Sequence, residues 1–149
     1  MHGGKTVVDD GQIGTLPLPG GLKLETLKKE VDVKKAISTF LQDDAALCKS
    51  VLLKLESIEK GLERSHVFNK YCLLRSHLLL TYDDANREAK CELKMINFGA
   101  SYEVPNRGTV DHSKGWDGQA ASHEDGYMTG IQSLHRVLKD LADELAAKK

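Results

Sequence analysis

Apolar residues recur at helical spacing in three parts of the sequence. The first part runs from Leu24 to Leu41, the second follows Asp43 and Asp44, and the third runs from Gly126 to about Ala146. The three apolar stripes consist of Leu27, Val33, Ile37 and Phe40, then Leu47, Val51, Leu55, Ile58 and Leu62, and then Ile131, Leu134, Leu138, Leu141 and Leu145. Because one face of each segment is apolar, we predict three amphipathic helices that pack on a core.

Between the second and third helices the pattern changes to that of β-strands. The run from Tyr71 to Tyr82 predicts one strand, and the run from Cys91 to Gly99 alternates between polar and apolar residues. The alternating positions are outward Glu92 and Lys94 and inward Leu93 and Met95. The turn residues of Asp83–Asn86 lie between the two runs, which indicates an antiparallel hairpin.

The predicted hairpin places Ser76 near Asn97, where the second strand ends at a polar residue followed by Phe98 and Gly99. A strand that ends in this way can deliver a side chain to a site. Asn and Gly also accept left-handed backbone geometry, so N-F-G can be a simple turn. Both interpretations stay open from these residues alone.

Length and composition limit the class of protein. The chain of 149 residues is large enough for one domain with a real core, and we expect residues 1–23 to form a flexible lead-in and residues 24–149 an α+β domain. With 21 basic and 22 acidic residues the net charge is −1, which argues against nucleic acid as a partner. No apolar run approaches the ~18 residues of a membrane span, so we expect a cytoplasmic protein.

The cysteines are predicted to be reduced thiols. Cys48, Cys72 and Cys91 are odd in number and share no metal-binding spacing, although Cys72 and Cys91 could face each other on paired strands. A disulfide between these two cysteines is the less favoured alternative.

The polar loop from Ala100 to His123 contains the single tryptophan, Trp116, which we expect to anchor the loop to the body of the protein. Four potential metal ligands lie close together in sequence around this loop, namely Asp111, His112, His123 and Asp125. Their spacing matches no zinc signature. We favour a loop contact for His123 and, for Asp125, a role as a buried acceptor of backbone N–H groups at the start of the last helix.

Several motifs in this order resemble the inositol polyphosphate kinases, and among them the inositol-trisphosphate 3-kinases. The family pattern has a serine pair before an apolar strand, a strand ending I-D-F-G, a histidine and then a tryptophan, and E-D-G-Y at the start of a final helix. The matching residues here are Ser76, Leu78–Leu80, Met95–Gly99, His112, Trp116 and Glu124–Tyr127. The resemblance runs from about Val33 to about Leu141. A small α+β domain with chance matches is the alternative.

The resemblance implies an enzyme that uses ATP and Mg²⁺ to phosphorylate a hydroxyl of an inositol phosphate. It implies that Ser76 and Asn97 face the nucleotide phosphates, and that Asn97 occupies the metal position, where the family has aspartate. His77 replaces the second serine of the pair, and Ala100 stands where the 3-kinases have lysine.

The family signature P-x-x-x-D-x-K-x-G, which supplies the base and a lysine, does not occur in these residues. We therefore expect the partial C-lobe of a protein-kinase-like fold without its N-lobe, inactive in isolation, and we assign no catalytic residue. A degenerate lobe that serves as a binding or regulatory module is the alternative. The oligomeric state is left open.

Overall fold

The computed structural model describes residues 27–119 and 122–148 and confirms an α+β fold with three helices. The elements are α1 (Glu30–Phe40), α2 (Ala45–Glu63), β1 (Tyr71–Cys72), β2 (His77–Thr81), β3 (Glu92–Ile96), β4 (Tyr102–Glu103) and α3 (Tyr127–Ala147), with 3₁₀ turns at Phe68–Lys70 and Pro105–Arg107. The predicted lead-in over residues 1–23 lies outside the described residues. The chain divides into two compact units between Asp44 and Ala45.

The first unit contains α1, which begins later than its apolar pattern predicts. Residues 27–29 are not helical, and the predicted start at Leu24 lies outside the described residues. Glu30 and Asp32 lie in the first helical turn, where negative charge is favourable beside the free N–H groups. The helix ends because Gln42 and Asp43 adopt left-handed backbone angles, with φ of 56° and 55°.

The core of the second unit is formed by α2 and α3, which pack along their predicted apolar stripes. The buried residues are Leu47, Cys48, Val51 and Leu55 on α2, and Met128, Ile131, Val137, Leu138, Leu141 and Leu145 on α3. The Cys48 thiol donates a hydrogen bond to the Leu138 carbonyl at 3.6 Å, which shows how closely the helices approach. At the edge of this contact the His135 ring lies 3.3 Å from the Glu56 carboxylate. The two helices therefore form one continuous apolar layer.

The predicted hairpin is confirmed. β2 and β3 pair antiparallel, with His77 opposite Ile96 at one end and Thr81 opposite Glu92 at the other. Asp83 organises the turn, because its carboxylate accepts the Ala85 N–H at 2.9 Å and binds the Lys90 ammonium at 2.9 Å. The contact with Lys90 lowers the pKa of Asp83 below its usual value. The alternation on β3 is also as predicted, with its polar residues exposed and Leu93 buried.

The prediction of one strand from Tyr71 to Tyr82 is wrong. The chain breaks between β1 and β2, where Arg75 has a φ of 55° that no extended strand can contain. β1 pairs instead with β4, in a second two-stranded sheet, so part of the predicted loop after Gly99 has regular structure. The two sheets therefore bring different parts of the chain together.

The prediction of reduced cysteines is confirmed, and the alternative in which Cys72 faces Cys91 is wrong. All three cysteines are free and buried, and burial raises the pKa of Cys72 and of Cys91, so both remain thiols. However, Cys72 lies opposite Tyr102 on β4 and not opposite Cys91. A hydrogen bond with the Cys72 thiol raises the pKa of the Tyr102 phenol.

Among the described residues, no helix combines the length and the apolar character that crossing a membrane requires.

The α2–α3 layer can be tested by comparing two leucines of α2. Leu55 is fully buried, whereas Leu53 is 57% exposed. We expect Leu55→Ala to lower the free energy of unfolding by about 2–5 kcal/mol, because it leaves a cavity. Leu53→Ala is expected to change it by no more than about 0.5 kcal/mol. Urea denaturation followed by circular dichroism measures both, and equal losses would contradict the packing described here.

Candidate functional site

Ser76 and Asn97 lie at the same end of the β2–β3 hairpin. Ser76 directly precedes β2 and Asn97 directly follows β3, so the register that pairs His77 with Ile96 places these two residues opposite each other. Asn97 is exposed and has a φ of 63°, a left-handed conformation that Asn adopts more easily than most residues. This conformation ends β3. The two residues named from the sequence are therefore neighbours across the end of the hairpin, as predicted.

The Ser76 hydroxyl lies close to the start of α3. Its Oγ and the Tyr127 Oη are both buried, and neither makes a hydrogen bond of acceptable geometry. Burial raises the pKa of Tyr127, and the neighbouring Ser76 hydroxyl offsets part of that rise. The hairpin end therefore contacts the first residue of α3 through two hydroxyl groups that still have hydrogen-bonding capacity.

The donor set at the hairpin end does not fit Mg²⁺. This ion prefers hard, charged oxygen ligands, and Asn97 offers only a neutral amide. Within residues 27–119 and 122–148, no group of three His, Cys, Asp or Glu side chains could hold a metal ion. The side chain at the metal position of the resemblance therefore lacks the charge that metal binding needs.

Asp125 is a buried acceptor for three donors, which confirms the structural role predicted for it. One carboxylate oxygen accepts the Leu73 N–H at 2.7 Å, and the other accepts the Tyr127 N–H at 2.9 Å and lies 2.8 Å from His112 Nδ1. Leu73 follows β1 and Tyr127 begins α3. A single carboxylate thus joins the segment before the hairpin to the last helix.

His112 completes this arrangement with both of its ring nitrogens. Nδ1 faces the Asp125 carboxylate and Nε2 faces the Phe68 carbonyl at 2.9 Å. Both partners accept hydrogen bonds, so a ring that carries a proton on each nitrogen would satisfy the two contacts at once. The two side chains are only 1% and 2% exposed. The His112 ring also stacks on the Phe68 ring, with centroids 3.7 Å apart.

This geometry excludes the metal-cluster alternative for the loop. His112 has no free ring nitrogen for a metal, and Asp125 is already occupied by three donors. His123 makes the predicted loop contact, because its Nδ1 lies 2.9 Å from the Tyr102 hydroxyl. The histidines and Asp125 therefore hold the loop to the rest of the unit.

The other residues of the E-D-G-Y motif fix the loop and the helix start. Glu124 accepts the backbone N–H groups of Asp111 and His112, at 3.4 and 3.1 Å. Gly126 has a φ of 65°, and a Cβ added there would lie 3.2 Å from the Gly115 Cα. The His112 carbonyl accepts the Met128 N–H at 2.9 Å. Each position of the motif thus has a structural reason.

The prediction that Trp116 anchors the loop is wrong. Its side chain is 67% exposed, and its indole N–H donates to the Gln119 carbonyl at 3.1 Å, within the same loop. His112 is the buried aromatic anchor instead. No local spacing marks it in the sequence, because its partners, Asp125 and Phe68, lie 13 and 44 residues away.

We expect Asp125→Asn to lower the free energy of unfolding by about 3–5 kcal/mol, because it removes the buried carboxylate on which three donors converge. The control is Asp117→Asn, since Asp117 accepts the nearby Gln119 N–H in an exposed turn. This control should cost less than about 1.5 kcal/mol. Urea denaturation gives both values. Similar losses in the two variants would show that the His112–Asp125 pair is not a major support.

Two left-handed glycines provide a second test. Gly126 is crowded by Gly115, whereas a Cβ on Gly118, which has a φ of 83°, would meet nothing within 4 Å. Gly118→Ala should cost only the left-handed conformation, about 1–2 kcal/mol. Gly126→Ala should cost clearly more because its methyl group also pushes against backbone. Thermal denaturation measures the difference, and an equal effect would contradict the close approach.

The comparisons with known proteins agree with the arrangement of the motifs. Residues 22–139 match the sequence model of the family described as inositol polyphosphate kinase. Inositol-trisphosphate 3-kinase A of Rattus norvegicus is 29% identical over 119 residues, which cover 80% of this chain and 25% of that protein. The inositol-trisphosphate 3-kinase homolog of Caenorhabditis elegans is 29% identical over 130 residues, which cover 85% of this chain and 25% of that protein.

The chain thus spans about a quarter of the length of the curated relatives it matches. The family match covers most of the chain, including the hairpin, Asn97 and the E-D-G-Y motif. This chain belongs to the inositol polyphosphate kinase family.

Proposed function

We propose that this chain is the C-terminal lobe of an inositol-trisphosphate 3-kinase-like enzyme, with Ser76 and Asn97 facing the phosphates of ATP. The full enzyme would transfer the terminal phosphoryl group of ATP to a hydroxyl of an inositol phosphate. The isolated chain would not catalyse this reaction. The cytoplasm, where such a substrate would be dissolved, is the proposed location.

The observation that carries this proposal is the hairpin end. Ser76 and Asn97 lie at the same end of the hairpin, with the Asn97 side chain exposed and the Ser76 hydroxyl buried beside Tyr127. Phosphoryl transfer depends on positioning and charge neutralisation more than on covalent chemistry by the protein. An exposed polar side chain held at the end of a paired hairpin supports a role in positioning phosphates.

Because residue 97 is an uncharged Asn, we expect the chain to bind magnesium nucleotide weakly. The amide contributes no negative charge, and the described residues offer no cluster of carboxylates nearby that could replace it. Losing one electrostatic partner of a transition state commonly costs about 100- to 1000-fold in rate. The P-x-x-x-D-x-K-x-G signature is also not found in the sequence. Turnover by this chain alone would therefore need groups that its sequence does not supply.

The uncharged side chain of Asn97 also favours a second candidate function. A lobe whose metal position has lost its charge while its supporting contacts remain can persist as a binding or regulatory module. In that case the contacts of Asp125 and His112 would be retained for structure, and nucleotide would not be required. The two candidates differ in whether restoring the carboxylate restores binding.

Restoring the carboxylate is the first test of the proposal. The unmodified chain should show no change in Tm on addition of ATP and Mg²⁺. Asn97→Asp should show a rise that depends on both compounds, because the ion regains a charged oxygen ligand. Each 1 kcal/mol of ligand stabilisation corresponds to roughly 2–4 °C in a domain of this size. Differential scanning fluorimetry measures the shift.

The control for this experiment is Asn106→Asp. Asn106 also has a left-handed backbone, with a φ of 58°, but it lies in the Pro105–Arg107 turn and not at the hairpin end. Asn106→Asp adds the same charge and should give no response to ATP and Mg²⁺. A response of the unmodified chain would contradict the proposed inactivity. No response of Asn97→Asp would favour the non-catalytic module.

Activity is tested by joining the chain to the small lobe of a related inositol-trisphosphate 3-kinase. With Asn97→Asp, this chimera should phosphorylate inositol trisphosphate in the presence of ATP. With Asn97 retained, its rate should be lower by about 100- to 1000-fold. Equal rates would contradict the role assigned to residue 97.

A further inference from the structure

The end of the β2–β3 hairpin that carries Asn97 is positively charged. Residues 73–78 and 95–101 form this end and contain no Asp or Glu, and Arg75 is the residue among them with a permanent charge. The acidic residues of the hairpin lie towards its other end, at Asp83, Asp84, Glu88 and Glu92. The hairpin therefore separates its charges along its length, although the whole chain has a net charge of only −1.

Arg75 differs from the other basic residues of the hairpin, because those residues have carboxylate partners. The ion pairs of the hairpin join Arg87 to Asp84 at 2.9 Å, Lys90 to Asp83 at 2.9 Å and Lys94 to Glu92 at 3.8 Å. The Arg75 side chain is exposed, and it makes no ion pair or hydrogen bond within the part of the chain that the structure describes. Arg75 can therefore offer its charge to a ligand without breaking an existing pair.

Two further polar side chains lie beside Arg75. Arg75 and His77 flank Ser76 in the sequence, and His77 lies opposite Ile96, which directly precedes Asn97. Facing residues of an antiparallel pair have Cα atoms about 4.5–5.5 Å apart, and consecutive residues about 3.8 Å. The Cα atoms of His77 and Asn97 are therefore within about 9 Å of each other. The side chains of Arg75, His77 and Asn97 are all exposed and form one patch, the donor patch.

Asparagine at position 97 determines which ligand the donor patch can bind. An aspartate would only accept hydrogen bonds and would repel an anion, whereas the uncharged amide of Asn97 has an NH₂ group that donates. The guanidinium of Arg75 has a planar set of donors that matches phosphate oxygens, and the His77 ring has an N–H in either tautomer. All three side chains can therefore donate to one anion, and none of them has the negative charge that attracts a metal ion.

We propose that the donor patch of Arg75, His77 and Asn97 is a binding site for a phosphate group that carries no metal ion. This inference rests on the proposed role of the hairpin end in facing phosphates, and it assigns the contact to donors of the protein in place of Mg²⁺. A phosphate that is complexed with Mg²⁺ binds more weakly, because the ion neutralises part of its charge. Metal therefore acts against binding here, which is the reverse of what phosphoryl transfer requires.

Pyrophosphate in the presence of EDTA tests the site on the full chain at constant ionic strength. We expect ¹H–¹⁵N NMR to show shifts at the amides of Arg75, Ser76, His77 and Asn97, with a Kd on the order of 1 mM. An excess of Mg²⁺ in place of EDTA should weaken this binding by about threefold or more. Glycerol 2-phosphate is the second ligand, and the tighter of the two shows whether the site takes a diphosphate or a phosphate monoester.

Arg75→Gln tests the cation, because glutamine keeps hydrogen-bond donors but has no charge. It should weaken pyrophosphate binding about three- to tenfold. Arg107→Gln is the matched control and should leave the affinity unchanged. Arg107 is also exposed and left-handed, with a φ of 57°, but it lies in the Pro105–Arg107 turn. The two variants change the net charge equally, so a difference between them reports the position of the charge.

Asn97→Asp tests the amide. It should weaken metal-free pyrophosphate binding about tenfold, because a carboxylate repels the anion, whereas Asn106→Asp should not.

Three results would overturn the proposal. The first is that pyrophosphate shifts none of the amides at the hairpin end. The second is that Mg²⁺ strengthens pyrophosphate binding by the unmodified chain. The third is that Arg75→Gln and Arg107→Gln lose the same affinity. The proposed kinase role is tested separately, by the response of Asn97→Asp to ATP and Mg²⁺, so a failure of one proposal can be distinguished from a failure of the other.

Discussion

The second structural unit depends on one buried contact, between the His112 ring and the Asp125 carboxylate. Asp125 binds the chain after β1 and the start of α3, and His112 adds the Phe68 carbonyl. Three segments, residues 68–73, His112 and residues 125–127, therefore meet at two side chains. Removing the carboxylate would leave the buried groups that it accepts from without a partner, which is costly. The effect of the contact is to fix one arrangement of the loop, the last helix and the strand before the hairpin.

The residue that supports the site, Asp125, is therefore different from the residue at the hairpin end, Asn97. Asp125 cannot change without leaving three buried donors unsatisfied, so the fold itself requires it. Asn97 has no such role, because its side chain is exposed and its left-handed backbone suits asparagine at least as well as aspartate. A carboxylate at position 97 can thus be replaced by an amide with little effect on folding. The hairpin end can therefore keep its geometry whether residue 97 is an amide or a carboxylate.

The sequence predicts the helices and strands whose apolar residues recur at a regular spacing. Helical spacing predicts α2 and α3, because each buries one face over several turns, and alternation predicts β3 because only one face is covered. It does not predict the break at Arg75, where β1 pairs with β4 and the Leu73 N–H binds Asp125, so that the chain does not continue directly into β2. It also does not distinguish the buried His112 from the exposed Trp116. Both are aromatic residues in a polar loop, and only partners distant in sequence decide which one is buried.

The most direct test of this account is the protonation of the His112 ring, measured by ¹⁵N NMR on the folded chain at neutral pH. Both ring nitrogens face acceptors, so we predict that both carry protons and that these protons exchange slowly with water. A neutral His112 ring, with one nitrogen unprotonated, would contradict the account. It would mean that Asp125 and the Phe68 carbonyl are not held by one cation, and that the loop, the helix and the hairpin are joined in some other way.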